Sequence, residues 1–150
     1  NNGSLLYASN FSIGVNIFFE LNRRLAKLMD GQQEYTPSIK EIHHKQKVDA
    51  PSGTAVSIAS DMLLKNDNLT SWVHQKEVAP VVHLGQVAVT SFREDGVPGT
   101  HIVDYTSEID TIEIKHIAHN RKGFGLGAII AAEWIVGKKG VYTMQDVIKL

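Results

Sequence analysis

The second half of this 150-residue chain contains three consecutive segments rich in β-branched and aromatic residues, which limit the fold more than any other feature. The segments cover 86–92, 101–106 and 111–117, and a turn with glycine and proline over 95–99 joins the first two. An earlier strand is predicted over 38–44, where Ile39, Glu41 and His43 alternate with Lys40, Ile42 and His44. These segments predict a β-sheet built largely from sequential strands.

Helical periodicity predicts three helices around these strands. The first carries Ile13, Ile17, Leu21, Leu25 and Leu28, with Gly31 where a left-handed C-terminal cap is expected. The second carries Ala55, Ile58, Ala59, Met62 and Leu63, and the third, over 126–136, carries Ile129, Ala132, Ile135 and Val136. A short capped turn begins at Thr143, whereas 70–83 is assigned to loop or irregular structure. The order predicts one α+β domain, with a mixed open sheet of about four strands and helices packed on one face.

Composition excludes several classes of function. The net charge is −1, which gives no electrostatic reason to expect nucleic acid or an anionic membrane as partner. The chain has no cysteine, so it has neither disulfides nor thiolate metal ligands, which suits the cytoplasm. The apolar stretch over 5–19 is broken by four polar residues and has no basic segment before it. It therefore indicates neither a signal peptide nor a membrane span.

Two further patterns are interpreted as structural. The seven histidines include no His-x-x-x-His pair on a helix, so no metal site is expected, and His116 is predicted to be a half-buried strand residue. The segment 123–128 formally fits the dinucleotide pattern G-x-G-x-x-A. A nucleotide-binding unit needs a second parallel strand after the helix, however, and 137–150 offers no convincing one. These glycines are instead predicted to permit close packing of the helix on the sheet.

The densest group of reactive residue types lies over 41–55, between a strand end and a helix start. His43 and His44 can exchange protons near neutral pH, and Lys47 adds a positive charge. The helix then opens at Ser52, with Ser52 or Asp49 as its cap, and the backbone N–H groups of such a terminus bind carboxylate or phosphate. One interpretation is a small-anion site with an adjacent acid. The other is a solvated basic loop before an ordinary capped helix, and spacing alone favours it.

A longer motif covers the same residues. The string HHKQKVDAPSGTA resembles the signature H-H-x-x-K-x-D-x-P-S-G-T-A of dihydrodipicolinate reductases. Residues 9–16 resemble the segment in which that family crosses from its nucleotide domain into its substrate domain. Further residues follow in the order expected of the family's last strands and helix: Arg93, Gly99, His101, His116, Arg121, Phe124 and Gly127.

The resemblance implies roles for individual residues. His43 corresponds to the general acid and Lys47 to the lysine that assists protonation and binds substrate. Arg121 is a weaker candidate for a carboxylate contact, since a surface arginine before a helix is equally expected. The substrate's carboxylates would be held by His44, Ser52, Gly53 and Thr54. The nicotinamide end of the cofactor would be lined by Ala8, Ser9, Asn10 and Phe11, with Ser9 where many members have proline.

The resemblance also implies a function. The chain would be the substrate-binding half of an NADH- or NADPH-dependent reductase of the diaminopimelate–lysine pathway, cytoplasmic and homotetrameric through its sheet. Residues 1–10 would be a remnant of the nucleotide domain and the crossover, 11–138 the substrate and oligomerisation domain, and 139–150 a return toward the nucleotide domain. Residues 1–7 are then expected to be disordered or packed on a neighbouring chain. The alternative is a catalytically silent module that binds a dicarboxylate and oligomerises.

Overall fold

The computed structural model describes residues 2–75 and 83–149. Its helices are α1 (Ile13–Leu28), α2 (Gly53–Lys65), α3 (Lys122–Ile135) and α4 (Met144–Ile148). Its strands are β1 (Ser4–Leu6), β2 (Thr36–His43), β3 (Ser71–Gln75), β4 (Gln86–Arg93), β5 (Gly99–Thr106), β6 (Thr111–Ala118) and β7 (Gly140–Tyr142). Within these residues, every helix is too short or too polar to span a bilayer.

The main sheet is mixed and has five strands in the order β3-β4-β2-β5-β6. Strands β3, β4 and β2 run parallel, while β5 is antiparallel to both β2 and β6. The α+β prediction is confirmed, but the sheet has one strand more than the four expected. The additional strand, β3, occupies part of the segment 70–83, for which the sequence predicts loop or irregular structure; residues 76–82 of that segment lie outside the described residues.

Helices α1 and α2 pack on one face of this sheet and form the main core. The stripe predicted for α2 is largely confirmed, since Ala55, Ile58, Ala59 and Met62 are buried. The stripe predicted for α1 is largely wrong, because Ile17, Leu21 and Leu28 are exposed. The buried face of α1 instead carries Val15, Asn16, Phe18, Phe19, Asn22 and Ala26. Helix α1 has apolar residues on two faces, so periodicity alone could not identify the face that contacts the sheet.

A smaller hydrophobic cluster joins the two ends of the chain. Helices α3 and α4 contribute Ala131, Met144 and Val147, and Leu6 packs against them. Strand β1 pairs in parallel with β7 of the same chain, so the expectation that residues 1–7 are disordered or packed on a neighbouring chain is wrong for Ser4–Leu6. The prediction that no strand follows α3 is also wrong, although β7 is only three residues long. Helix α3 begins four residues earlier than predicted and ends at Ile135, and both Ile129 and the following Val136 are exposed.

Candidate active site

A cavity of about 470 Å³ opens where the C-terminal end of β2 meets the starts of α2 and α3. It is lined by Ser9, Asn10, Phe11, His43, His44, Lys47, Ser52, Gly53, Thr54, Pro98, Arg121 and Phe124. A second cavity, of about 330 Å³, lies at the far end of the sheet, and its described lining contains neither lysine nor arginine. The first cavity therefore combines histidines, cations and a helix N-terminus.

Strand alternation places the proton-carrying groups. Glu41 and His43 lie two residues apart on β2, so both point to the helix-covered side, where both are buried. His43 Nδ1 contacts Glu41 Oε2, and Arg93 donates two hydrogen bonds of 3.1 Å to Glu41 Oε1. Burial alone would raise the pKa of Glu41, but hydrogen bonds from His43, Ser91 and Arg93 outweigh it and lower the pKa to about 2. Glu41 is therefore a buried carboxylate in its charged form.

His101, on β5, lies behind His43. The two imidazoles pack edge to face with ring centroids 5.1 Å apart, and His101 Nε2 lies 3.2 Å from Ser52 Oγ. Burial, followed by the charge of the neighbouring His43, lowers the pKa of His101 to about 3. His101 is therefore neutral near pH 7, and it connects the cap of α2 to the ring of His43.

Lys47 lies on the loop after β2, and Arg93 holds that loop. Arg93 Nε donates to the carbonyl of Lys47 at 3.3 Å, and Nη2 donates to the carbonyl of Asp49 at 2.7 Å. Lys47 Nζ in turn donates to Asp49 Oδ1 at 2.7 Å, and this hydrogen bond lowers the pKa of Asp49. The lysine side chain is 21% exposed, so its ammonium can reach both water and the cavity.

The start of α2 forms the opposite wall. Ser52 caps the helix by accepting a hydrogen bond from the Ala55 N–H at 3.1 Å, which decides between the two predicted caps. Gly53 and Thr54 line the cavity, and the N–H groups of a first turn have no acceptor inside their own helix. A Cβ added at Gly53 would have no protein atom within 4 Å, so this part of the cavity is open. The wall suits a small anion.

The segment before α1 is fastened to this helix start. Asn10 Nδ2 donates to Thr54 Oγ1 at 3.3 Å, and Ser57 Oγ donates to Ser9 Oγ at 3.1 Å. Ser9, Asn10 and Phe11 therefore lie along the same cavity as His43. Ala8 is not among its lining residues and packs instead in the smaller cluster beside Ala131.

The start of α3 closes the third side. Arg121 Nη2 lies 2.9 Å from His44 Nε2, and Phe124 adds an apolar surface. A Cβ added at Gly127 would lie 1.9 Å from the Phe11 carbonyl oxygen. This glycine allows close packing as predicted, but the partner is the segment before α1 instead of the sheet. The strands on either side of α3, β6 and β7, lie in different sheets, so the glycine-rich start is not the turn of a βαβ unit.

Sequence reasoning missed two residues of the cluster. Glu41 and His101 were not singled out as site residues, although the alternation of β2 already placed Glu41 beside His43. Atoms of Glu41, His43 and His101 that could bind a metal ion lie within 4.8 Å of one another. The spacing of these residues in the sequence does not reveal this grouping. Arg93 already donates to Glu41, and the positive charge of its guanidinium would repel a metal ion bound at the same carboxylate. The carboxylate of Glu41 instead lies between the guanidinium of Arg93 and the imidazole of His43.

The fold and site define a class: an α+β domain whose cavity brings imidazoles, cations and a helix N-terminus together. Residues 14–148 match the family model described as "Dihydrodipicolinate reductase, C-terminus". The chain is 49% identical over 145 residues to the 4-hydroxy-tetrahydrodipicolinate reductase of Christiangramia forsetii, covering 97% of this chain and 59% of that protein. The enzyme of the same name from Methanosarcina barkeri is 40% identical over 149 residues, covering 98% and 54%.

A solved structure gives the same assignment. The chain is similar to "Dipicolinate bound Dihydrodipicolinate reductase from Paenisporosarcina sp. TG-14", with a TM-score of 0.64 and 25% identity, over 92% of this chain and 52% of that one. The chain thus spans little more than half the length of these relatives. It belongs to the dihydrodipicolinate reductase family, a family of oxidoreductases, and matches that family's C-terminal part.

Proposed function

We propose that this chain is the substrate-binding part of a 4-hydroxy-tetrahydrodipicolinate reductase, an NADH- or NADPH-dependent enzyme of lysine biosynthesis through diaminopimelate. One observation carries the proposal: His43, Lys47, Arg121 and the start of α2 surround one cavity. A ligand with two anionic groups would engage both cations and the helix terminus at once. The names of the relatives support a cyclic dicarboxylate as that ligand.

The two carboxylates would be held on different walls. One lies at the first turn of α2, where Ser52, Gly53 and Thr54 present N–H and hydroxyl groups, next to Lys47. The other lies toward Arg121 and His44, which are already in contact at 2.9 Å. Dipicolinate, an aromatic 2,6-dicarboxylate, is bound by the similar Paenisporosarcina enzyme, which makes it the natural probe for this site.

In the reaction, His43 would donate a proton to the substrate after hydride has reached the conjugated imine. The nicotinamide, when bound, supplies that hydride. His43 faces Glu41 through Nδ1, so Nε2 is the nitrogen that can deliver a proton to the cavity. Lys47 and Arg121 would neutralise the dicarboxylate and hold it in place. Ser9, Asn10 and Phe11 fit the nicotinamide end of the cofactor, since they line the same cavity; Ala8, set back from it, would support them.

The proposal extends to assembly, domain division and location. The sheet face opposite α1 and α2 carries half-buried Ile42, Phe92 and Ile102, a surface suited to a homotetramer contact. Residues 11–138 would form the substrate and oligomerisation domain, with 1–10 and 139–150 adjoining the nucleotide-binding part. A chain without cysteine also suits a cytoplasmic enzyme.

A second candidate is a catalytically silent module that binds the dicarboxylate and oligomerises. It is favoured by the arrangement of β6, α3 and β7, because the described residues contain no glycine-rich βαβ unit to hold a dinucleotide. NADH oxidation in the presence of the substrate separates the candidates. Activity of the chain joined to a nucleotide-binding part of the family supports the reductase, whereas dicarboxylate binding without activity in the joined protein supports the module.

Isothermal titration calorimetry with dipicolinate tests the site that both candidates share. Wild type should bind one ligand per chain, and Lys47→Met should weaken binding by roughly 10–100-fold, since a charged hydrogen bond contributes about 1.5–3 kcal/mol. Lys45→Met is the matched control, because Lys45 pairs with Asp95 and does not line the cavity. Equal effects of the two variants, or no binding by folded wild type, would reject the proposed site.

A further inference from the structure

Arg93 and Glu41 form a largely buried ion pair that contacts both His43 and the loop that carries Lys47. The Glu41 side chain is fully buried and that of Arg93 is 21% exposed. On one side Glu41 contacts His43, and on the other Arg93 reaches the backbone of the loop that carries Lys47. Burying two charges costs solvation energy, so such a pair is weak evidence of a role in stability alone.

We infer that the Glu41–Arg93 pair is a positioning unit: Glu41 fixes the tautomer and orientation of His43, and Arg93 fixes the loop that presents Lys47. The inference rests on the proposed function, since it concerns how the same site is prepared. Neither residue lines the cavity, so both act through their neighbours.

The geometry around His43 leaves its ring little freedom. A carboxylate only accepts hydrogen bonds, so the ring nitrogen facing Glu41, Nδ1, must carry a hydrogen. The His101 ring packs against another side. A Cβ added at Gly99 would lie 3.1 Å from His43 Nε2, so a larger residue at this position of β5 would crowd the ring. In the neutral ring, Nε2 is then the free acceptor, ready to take up the proton that is later delivered.

The geometry around Arg93 explains the loop. The guanidinium is a rigid planar donor, and here it bonds the Glu41 carboxylate together with the carbonyls of Phe92, Lys47 and Asp49. The shared carboxylate couples the two functions. It holds the guanidinium in the orientation from which the remaining N–H groups meet the loop.

The decisive readout is the tautomer of His43, measured by long-range ¹H–¹⁵N NMR of the ligand-free chain at alkaline pH, where imidazoles are neutral. Wild type should carry the hydrogen on Nδ1. In Glu41→Gln the amide oxygen can still accept from Arg93, and this orientation turns the amide NH₂ group toward His43. Because that NH₂ group donates to Nδ1, the ring hydrogen of His43 should move to Nε2. Asp104→Asn is the matched control, because this buried carboxylate lies on the other face of the same sheet and bonds Ser38 and Lys40.

A second variant tests the Arg93 half of the inference. Arg93→Lys keeps the charge beside Glu41 but loses the planar set of donors. His43 should retain its Nδ1–H tautomer, while the affinity for dipicolinate falls at least tenfold and the amide of Lys47 exchanges faster with solvent.

Several outcomes would overturn the inference. Wild-type His43 with its hydrogen on Nε2 would do so without any variant, even if Glu41→Gln fails to fold. An unchanged tautomer in Glu41→Gln, or an Arg93→Lys chain with full affinity and an equally protected loop, would also do so. If wild type does not bind dipicolinate but its tautomer follows these expectations, the proposed function fails while the positioning of His43 by Glu41 stands.

Discussion

Replacing Gly127 with alanine should separate two elements that form walls of the proposed site. The added Cβ would lie 1.9 Å from the Phe11 carbonyl oxygen and 2.7 Å from the Phe11 carbonyl carbon. A carbon and an oxygen in contact lie roughly 3.3 Å apart or more, so α3 and the segment before α1 must separate by about 1.4 Å. Both contacted atoms belong to the backbone, so no side-chain rotation can relieve the clash.

The expected loss in the free energy of unfolding follows from two opposing effects. Overpacking of this kind costs up to about 3 kcal/mol, and alanine recovers about 1 kcal/mol of helix propensity relative to glycine. The net loss of about 2 kcal/mol should lower the melting temperature by roughly 4–8 °C in a chain of this size. Urea denaturation followed by circular dichroism measures the free energy, and a thermal scan measures the shift.

Gly125→Ala is the control within the same helix. A Cβ at Gly125 would have no heavy atom within 4 Å, so only the propensity gain of about 0.5–1 kcal/mol remains and the melting temperature should rise. If Gly127→Ala is as stable as Gly125→Ala, the close approach of α3 to Phe11 is wrong. The wall that Phe11 and Phe124 form in the cavity would then be wrong as well.

Three further predictions concern the site. Gly53→Ala should leave the melting temperature unchanged or slightly higher, because the added Cβ meets no protein atom. The same Cβ would cover the first turn of α2, so calorimetry should show dipicolinate binding weakened at least tenfold. Unchanged affinity would show that no carboxylate binds at that turn. Arg121→Met should weaken the same binding by roughly 10–100-fold, and a change below twofold would leave Arg121 as a surface arginine. His101 has a pKa of about 3 in the fold and roughly 6.5 when unfolded, so protons favour the unfolded chain as the pH falls from 6.5 toward 3. Wild type should lose about 2 kcal/mol more stability than His101→Gln between pH 7 and pH 5 in urea denaturation, and equal losses would contradict the burial of a neutral His101.

The strands were the most predictable part of the fold. Alternation in β2 correctly grouped Ile39, Glu41 and His43 on one face, because a period of two leaves only two choices of face, and the structure shows that this face is the buried one. The helices were harder. In α1 the exposed Ile17 and Leu21 form as regular a stripe as the buried Phe18 and Phe19, and only the packing of the sheet selects between them.

The proposed site was predictable where its residues are contiguous and not where the fold brings distant residues together. His43, Lys47 and Gly53 come from one motif and line one cavity. The pairing of Arg93 with Glu41 depends on the parallel register of β4 and β2, which places Arg93 opposite His43. Pairing of β1 with β7 likewise joins residues more than 130 positions apart, and both strands are too short to give a clear pattern.

The central claim is that one cavity holds a dicarboxylate between the proton donor His43, the ammonium of Lys47 and the start of α2. A crystal structure of the chain with dipicolinate tests this most directly. The claim predicts one dipicolinate per chain, with one carboxylate on the Gly53 and Thr54 amides and the other on Arg121. Density for the ligand elsewhere, or an empty cavity at saturating dipicolinate, would contradict it.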